Sequence, residues 1–334
     1  MGEAMRKNTP YTKNIIKIIS LALLYSAIST SAFSKNITGF ECAPDQLKKP
    51  SVYGGPGPKH LRGDVSGFDP CNPSVEFVVP DGIERPPLIV LAHGGLGKKG
   101  VVDIAKAFQG SGFATLIFDV YEMNRVKEKI LMNSYRQMML YKTTLGAVKW
   151  VKNSKEIDNK LIYLYGISNG ASVVINLASS LKSDEIKGVI AEGPTPNGLG
   201  YPDEINLPVL VVFGKLDDFA APRGKMRWEI ADPCSMNKKY DLYPRGSSAR
   251  CSNDNKGGNS ETTIDWSKSV KLNEGASLDI QYLDGAAHGA FIKDYTKESK
   301  TLPNGVRLGW SVGGSEESRK KLIDITKVFI SNYR

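Results

Sequence analysis

The sequence predicts an α/β chain with a mainly parallel central sheet and helices on both faces. Three observations predict it. Short apolar, β-rich runs recur along the chain, helical patterns fill the gaps between them, and two of the runs end abruptly in glycine-rich turns. Such alternation means a parallel sheet, because each return to a parallel strand needs a crossover that covers one face. Strands are expected at Val75–Val79, Leu88–Ala92, Ala114–Asp119, Leu161–Tyr165, Gly188–Glu192, Val209–Phe213 and Ser277–Leu283. Helices are expected at Val101–Gln109, Ile130–Lys152, Ala171–Leu181 and Glu316–Tyr333. The roughly 300 residues from Lys35 onward suit one large domain of this class.

The chain begins with a segment that is not part of the fold. Arg6, Lys7, Lys13 and Lys17 precede an apolar stretch from Ile18 to Ile28, and the small residues Ala32 and Ser34 follow. Residues 1–34 therefore read as a signal peptide cleaved before Lys35, and the protein is expected to be exported, periplasmic or secreted. The stretch is shorter than the ~20 apolar residues of a membrane span, so no stable span is expected after cleavage. Residues 35–74 are rich in Pro and Gly and read as an extended arm, leaving 75–334 as the main domain with a polar insertion at about 234–273. The four cysteines all lie beyond the leader. An even number in an exported chain suggests two disulfides. Of the three possible connectivities, Cys42–Cys71 and Cys234–Cys251 each bracket a loop rich in Gly, Pro, Asn or Ser. Closing such a loop contributes about 3 kcal/mol when unstrained. No paired Cys/His spacing suits zinc.

The most informative stretch is Tyr163-Leu-Tyr-Gly166-Ile-Ser168-Asn169-Gly170-Ala-Ser. An apolar strand enters a Gly-x-Ser-x-Gly turn and a helix with Val173, Val174, Leu177, Ala178 and Leu181 leaves it. A sharp strand-to-helix reversal holds its central side chain at the sheet edge, and glycines flank it because a β-carbon there would strike the neighbouring strand or helix. Ser168 is the candidate nucleophile. The bare pattern is common, so its strength comes from context.

Two further features supply that context. Leu88-Ile-Val-Leu-Ala-His93-Gly94-Gly95 ends a strand in glycines whose backbone N–H groups can face a developing oxyanion. Gly94 and Gly95 are the candidates there, with the N–H of Asn169 as the second donor. Gly95, Gly97 and Gly100 do fall at Gly-x-Gly-x-x-Gly spacing, a weak pattern on its own, but no Gly-Lys-Ser/Thr ending follows, which argues against a P-loop. Of three histidines, His93 is occupied in this turn and His60 lies in the arm. His288, directly after the Ser277–Leu283 run, alone satisfies the chain order serine, acid, histidine. The acid belongs after Pro208-Val-Leu-Val-Val-Phe-Gly214, at Asp217, with Asp218 as the alternative.

His93-Gly94-Gly95, Gly166-Ile-Ser168-Asn-Gly170, Gly214-Lys-Leu-Asp217-Asp218 and Ala286-Ala-His288-Gly-Ala-Phe291 together resemble the α/β-hydrolase superfamily, and within it the dienelactone hydrolase-like family. The resemblance covers about Val75 to Tyr333 and implies an α/β-hydrolase fold and a hydrolase of esters or lactones. The founding enzymes use cysteine in the elbow, where this chain has Ser168, which favours a serine carboxylesterase. In that chemistry His288 takes the Ser168 proton during attack on a carbonyl carbon, Asp217 fixes the imidazole tautomer, and water then hydrolyses an acyl-enzyme. No metal or organic cofactor is required. A peptidase or acyltransferase on the same fold, or a catalytically silent binding protein, is the alternative.

The expected partner is a small-molecule ester or lactone. The formal charge is +9; residues 1–34 hold four basic residues and one acid, so +6 remains after cleavage. Basic residues form no dense run with interleaved aromatics, so nucleic-acid binding is not expected. Two segments are expected near the active-site side, Tyr121–Tyr135 after a strand end and Cys234–Asn273 after the acid strand, shaping the site or decorating the surface. Arg125 and Arg136 could meet a substrate carboxylate, with surface ion pairs as the plainer reading.

Overall fold

The computed structural model of the chain describes residues 34–36, 67–124, 133–195, 199–221, 225–229, 263–301, 305 and 307–334. The leader to Phe33, most of the arm, His60, Arg125, Cys42, Cys234, Cys251 and the insertion as far as residue 262 lie outside them, so each expected disulfide has at least one member there.

The main sheet contains β1 (Ser34–Asn36), β2 (Glu76–Pro80), β3 (Leu88–Ala92), β4 (Ala114–Ile117), β5 (Ile162–Ile167), β6 (Gly188–Glu192), β8 (Val209–Gly214) and β10 (Leu278–Leu283). Their spatial order is β1-β2-β4-β3-β5-β6-β8-β10. From β4 to β10 every neighbouring pair is parallel. The first two strands run antiparallel at the other edge.

The central strands are continuous apolar runs because both faces are covered. On β3, Leu88, Val90 and Ala92 point into one core while Ile89 and Leu91 point into the other. Helices α3 (Asn133–Val151) and α4 (Asn169–Ser180) close the first core with Met139, Leu140, Val148, Val173 and Leu177. Helices α1 (Val102–Gln109) and α6 (Glu316–Asn332) close the second with Ile104, Phe108, Leu322 and Phe329. The last helix starts where Ser315 accepts a hydrogen bond from the N–H of Ser318, with Glu316 and Glu317 in its first turn against the positive end of the helix dipole.

Several expectations change at the edges. The Ala114–Asp119 run is a strand only to Ile117, because the Asp119 carboxylate accepts from the N–H groups of Tyr121 and Glu122 and caps a short helix, α2 (Val120–Met123). Val120, Tyr121 and Met123 are buried, so the start of the expected Tyr121–Tyr135 covering segment belongs to the core. The arm contributes at both of its described ends. Lys35 and Asn36 pair with β2, and Phe68 packs against Phe118 and Trp150. Gly146 permits that packing, since a β-carbon there would sit 2.8 Å from the Phe68 Cβ.

The far end of the polar insertion is also structured. Helix α5 (Thr263–Ser269) buries Trp266 completely, stacked on Tyr201 at 5.2 Å with its indole N–H donating to the Pro202 carbonyl at 2.6 Å. A short parallel pair, β7 (Glu204–Ile205) with β9 (Lys271–Leu272), follows from that docking. A hairpin, β11 (Ser299–Thr301) with β12 (Arg307–Gly309), lies where no strand is expected. Its runs are too short and polar to register as strands.

Candidate active site

Ser168 stands between β5 and α4 with φ 56° and ψ −117°, a conformation that is costly for a residue with a β-carbon. The surroundings hold it there. A β-carbon on Gly166 would overlap the Gly170 carbonyl, and one on Gly170 would overlap the carbonyls of Ala92 and His93. The Ser168 N–H donates to the Glu192 carbonyl at 2.9 Å, which anchors the turn to the next strand.

The first glycine turn lies directly beside this elbow. A β-carbon on Gly94 would be 3.0 Å from the Ser168 Cβ and 3.7 Å from its Oγ. His93 shapes this turn from beneath. Its Nε2 accepts from the Val120 N–H at 3.0 Å, so Nδ1 carries the hydrogen and donates to the Gly94 carbonyl at 2.7 Å. Because a trans peptide points its C=O and N–H in opposite directions, this bond also sets the direction of the Gly95 N–H. Asn169 opens α4, where its N–H has no partner within the helix. Its side-chain oxygen accepts from Gln137 Nε2 at 3.2 Å, tying the elbow to α3.

Asp217 and His288 come together across 71 residues of sequence. The His288 Nδ1 lies 3.0 Å from the Asp217 Oδ2, and both side chains are buried. The other carboxylate oxygen accepts from the Phe219 N–H at 3.1 Å. Phe219 then returns over the imidazole, its ring stacked at 4.5 Å and 16°. The His288 Nε2 is buried with no hydrogen-bond partner, so its bond to Ser168 is not made in this conformation. The two loops nevertheless adjoin: a β-carbon on Gly289 would reach 2.7 Å from the Ile167 Cδ1, next to the serine. Catalytic hydrogen bonds are commonly loose before substrate binds.

The acidic pair divides its work. Asp218 does not face His288; its Oδ1 accepts from the Ser311 N–H at 2.9 Å. Backbone bonds between Ala220 and Gly309, and between Gly309 and Ala221, dock the hairpin on the same turn at 2.9 and 2.8 Å. Trp310 thereby meets Phe219 at 4.2 Å, and the Lys300 ammonium sits 4.8 Å above the indole. Trp310 was not legible in the sequence, because its hairpin is polar and distant along the chain from the acid. Arg136 lies part-buried in α3 and is already engaged by other groups.

Glu192 at the end of β6 also escaped the sequence reading. It is buried, accepting from the Tyr165 hydroxyl through Oε2 and from the Ala290 N–H at 2.7 Å through Oε1. Burial pushes its carboxyl above the usual range, and the same burial, with Glu192 beside it, pushes the Tyr165 phenol well above its own. An acid ending an otherwise apolar strand was the available signal. Among the described residues no group of three or more His, Cys, Asp or Glu could hold a metal, and no helix is long and apolar enough to cross a membrane.

A parallel sheet whose β5 turns through a strained serine into a helix, with an Asp–His pair at the ends of β8 and β10, defines an α/β-hydrolase. Residues 76–236 match the dienelactone hydrolase family. It is similar to an uncharacterised 31.7 kDa protein of the traX-finO intergenic region of Escherichia coli, 28% identical over 124 residues. That match takes in 36% of this chain and about two fifths of the relative, 41%. Similar solved structures include the dienelactone hydrolase of Anabaena variabilis, with TM-score 0.47, 13% identity, 78% of this chain and 91% of that one. Another is a dienelactone hydrolase-like promiscuous phosphotriesterase from metagenomic libraries, with TM-score 0.41, 14% identity and coverage of 78% and 92%.

Proposed function

We propose that the protein is an exported serine hydrolase that cleaves small carboxylic esters or lactones through an acyl-enzyme on Ser168. The observation that carries this reading is the strained elbow at Ser168 adjoining a buried imidazole whose Nδ1 is bound by Asp217. Bound to the Asp217 carboxylate, Nδ1 is the protonated nitrogen and Nε2 the free base, the tautomer needed to accept the serine proton. Ser168 attacks the carbonyl carbon, His288 takes its proton and passes it to the leaving alcohol, and water activated by the same histidine releases the acid. The N–H groups of Gly95 and Asn169 stabilise the tetrahedral oxyanion, with Gly94 as the small residue that lets substrate approach. The match of residues 76–236 to the dienelactone hydrolase family supports hydrolysis. The leader-like segment 1–34 and the even number of cysteines beyond it support export. A fluorophosphonate probe tests the nucleophile: wild-type protein should be labelled and Ser168→Ala should not. Labelling that persists in Ser168→Ala would remove the serine from its role. Turnover of p-nitrophenyl esters of increasing chain length would then size the acyl pocket.

A further inference from the structure

Glu192 touches both halves of the site through different atoms. Its backbone carbonyl accepts the Ser168 N–H at 2.9 Å, and its side chain accepts the Ala290 N–H at 2.7 Å, two residues beyond His288. The second carboxyl oxygen is bound by the hydroxyl of Tyr165, on the strand that carries the elbow. On the opposite side of Ala290, its carbonyl accepts from Arg319 Nε at 2.9 Å. The histidine segment is therefore gripped at one peptide unit from the sheet and at the next from α6. Gly193, the next residue, leaves room for the imidazole: a β-carbon there would lie 3.1 Å from the His288 Nδ1.

We propose that Glu192 is a positioning residue whose buried carboxyl holds the His288 loop in register with the Ser168 elbow. The inference rests on the reading of Ser168 and His288 as nucleophile and base. Its charge is not the essential property, since either protonation state leaves an oxygen to accept from Ala290 while the other meets Tyr165. The ionisable groups around it are Asp217 and His288 across the site, Tyr165 beneath, and Arg319 beyond Ala290. Burying a carboxyl here is costly unless both oxygens are satisfied, and simpler apolar packing would fill the same space. What the carboxyl adds is a hydrogen-bonded link to the His288 loop from the same residue whose carbonyl anchors the Ser168 N–H. Displacement of a reacting group by ~1 Å costs on the order of 100-fold in rate.

The test compares Glu192→Met, which keeps the volume and loses the acceptor, with Glu192→Gln, which keeps an acceptor for Ala290. Fluorophosphonate labelling rate and p-nitrophenyl acetate kinetics are measured on folded, full-length protein. Glu192→Met should lose about 100-fold in labelling and in kcat, with KM changed by less than about threefold, and Glu192→Gln should recover at least about tenfold of that loss. Met labelling near the wild-type rate, or Gln as slow as Met, overturns the inference while leaving the serine mechanism standing. Wild-type protein that does not label at Ser168 overturns both. Should the Met variant not fold, Glu192→Gln decides alone: labelling within about fivefold of wild type upholds the inference, and a loss of about 100-fold ends it.

Discussion

The elbow around Ser168 and the loop around His288 are built by different physics. The elbow is a backbone object. Its shape follows from two glycines, one strained residue and the close approach of β3, β5 and α4. The histidine loop is a side-chain object. Glu192, the Asp217–Phe219 turn and Arg319 hold it from three separate parts of the chain. The first region is rigid because any added atom collides; the second is placed because several hydrogen bonds agree. Damage to the elbow should therefore appear as lost folding or lost nucleophile, whereas damage to the loop should appear as graded loss of rate.

The sharpest break comes from removing the reacting groups. Ser168→Ala and His288→Ala should each lose about three or more orders of magnitude in kcat/KM with unchanged far-UV circular dichroism. Asp217→Asn should lose about 10⁴-fold in kcat, because an amide no longer holds the productive imidazole tautomer. Its neighbour supplies the contrast. Asp218→Ala leaves the Ser311 N–H without its acceptor, so stability should fall by about 1–3 kcal/mol, while turnover falls far less than in Asp217→Asn. The reverse ranking in ester turnover would exchange the two assignments.

Two further changes separate stability from chemistry. Trp266→Ala should cost about 3–5 kcal/mol by denaturant unfolding, because a fully buried indole is removed from between Tyr201 and the Pro202 carbonyl. Its kcat at temperatures where it stays folded should remain close to wild type. The smallest effect concerns pH. The Glu192 carboxyl is raised above its ordinary 4.5 by burial, so the folded state binds its proton more tightly than the unfolded chain. That contribution is fully present below about 4.5 and is lost as pH rises through the folded value. The stability of wild type relative to Glu192→Gln should therefore decline across that window. A flat difference in urea midpoints would show that folding leaves this carboxyl unshifted.

The sheet was legible because its information is local: Leu88–Ala92 and Val209–Phe213 are apolar at every position, which only strands covered on both faces require. The strained turn at Ser168 was legible for the same reason, since a five-residue pattern dictates its own turn. Strand ends were less so. Ala114–Asp119 reads as one run, yet the Asp119 side chain competes with the ladder for backbone N–H groups and ends it early. The polar stretch before Asn273 hid α5, because a single buried Trp266 outweighs its surface-like neighbours.

By itself the sequence determined the parallel sheet and the strained serine turn, because apolar runs and glycine spacing act over a few residues. Tertiary structure decided which aspartate meets the imidazole, what the other one anchors, and why an acid ends β6. Those outcomes depend on where side chains 70 to 100 residues apart meet, as Asp217 does His288 and Glu192 does Ala290 at separations of 71 and 98. No local pattern encodes such distances; they follow from the order in which the strands pack.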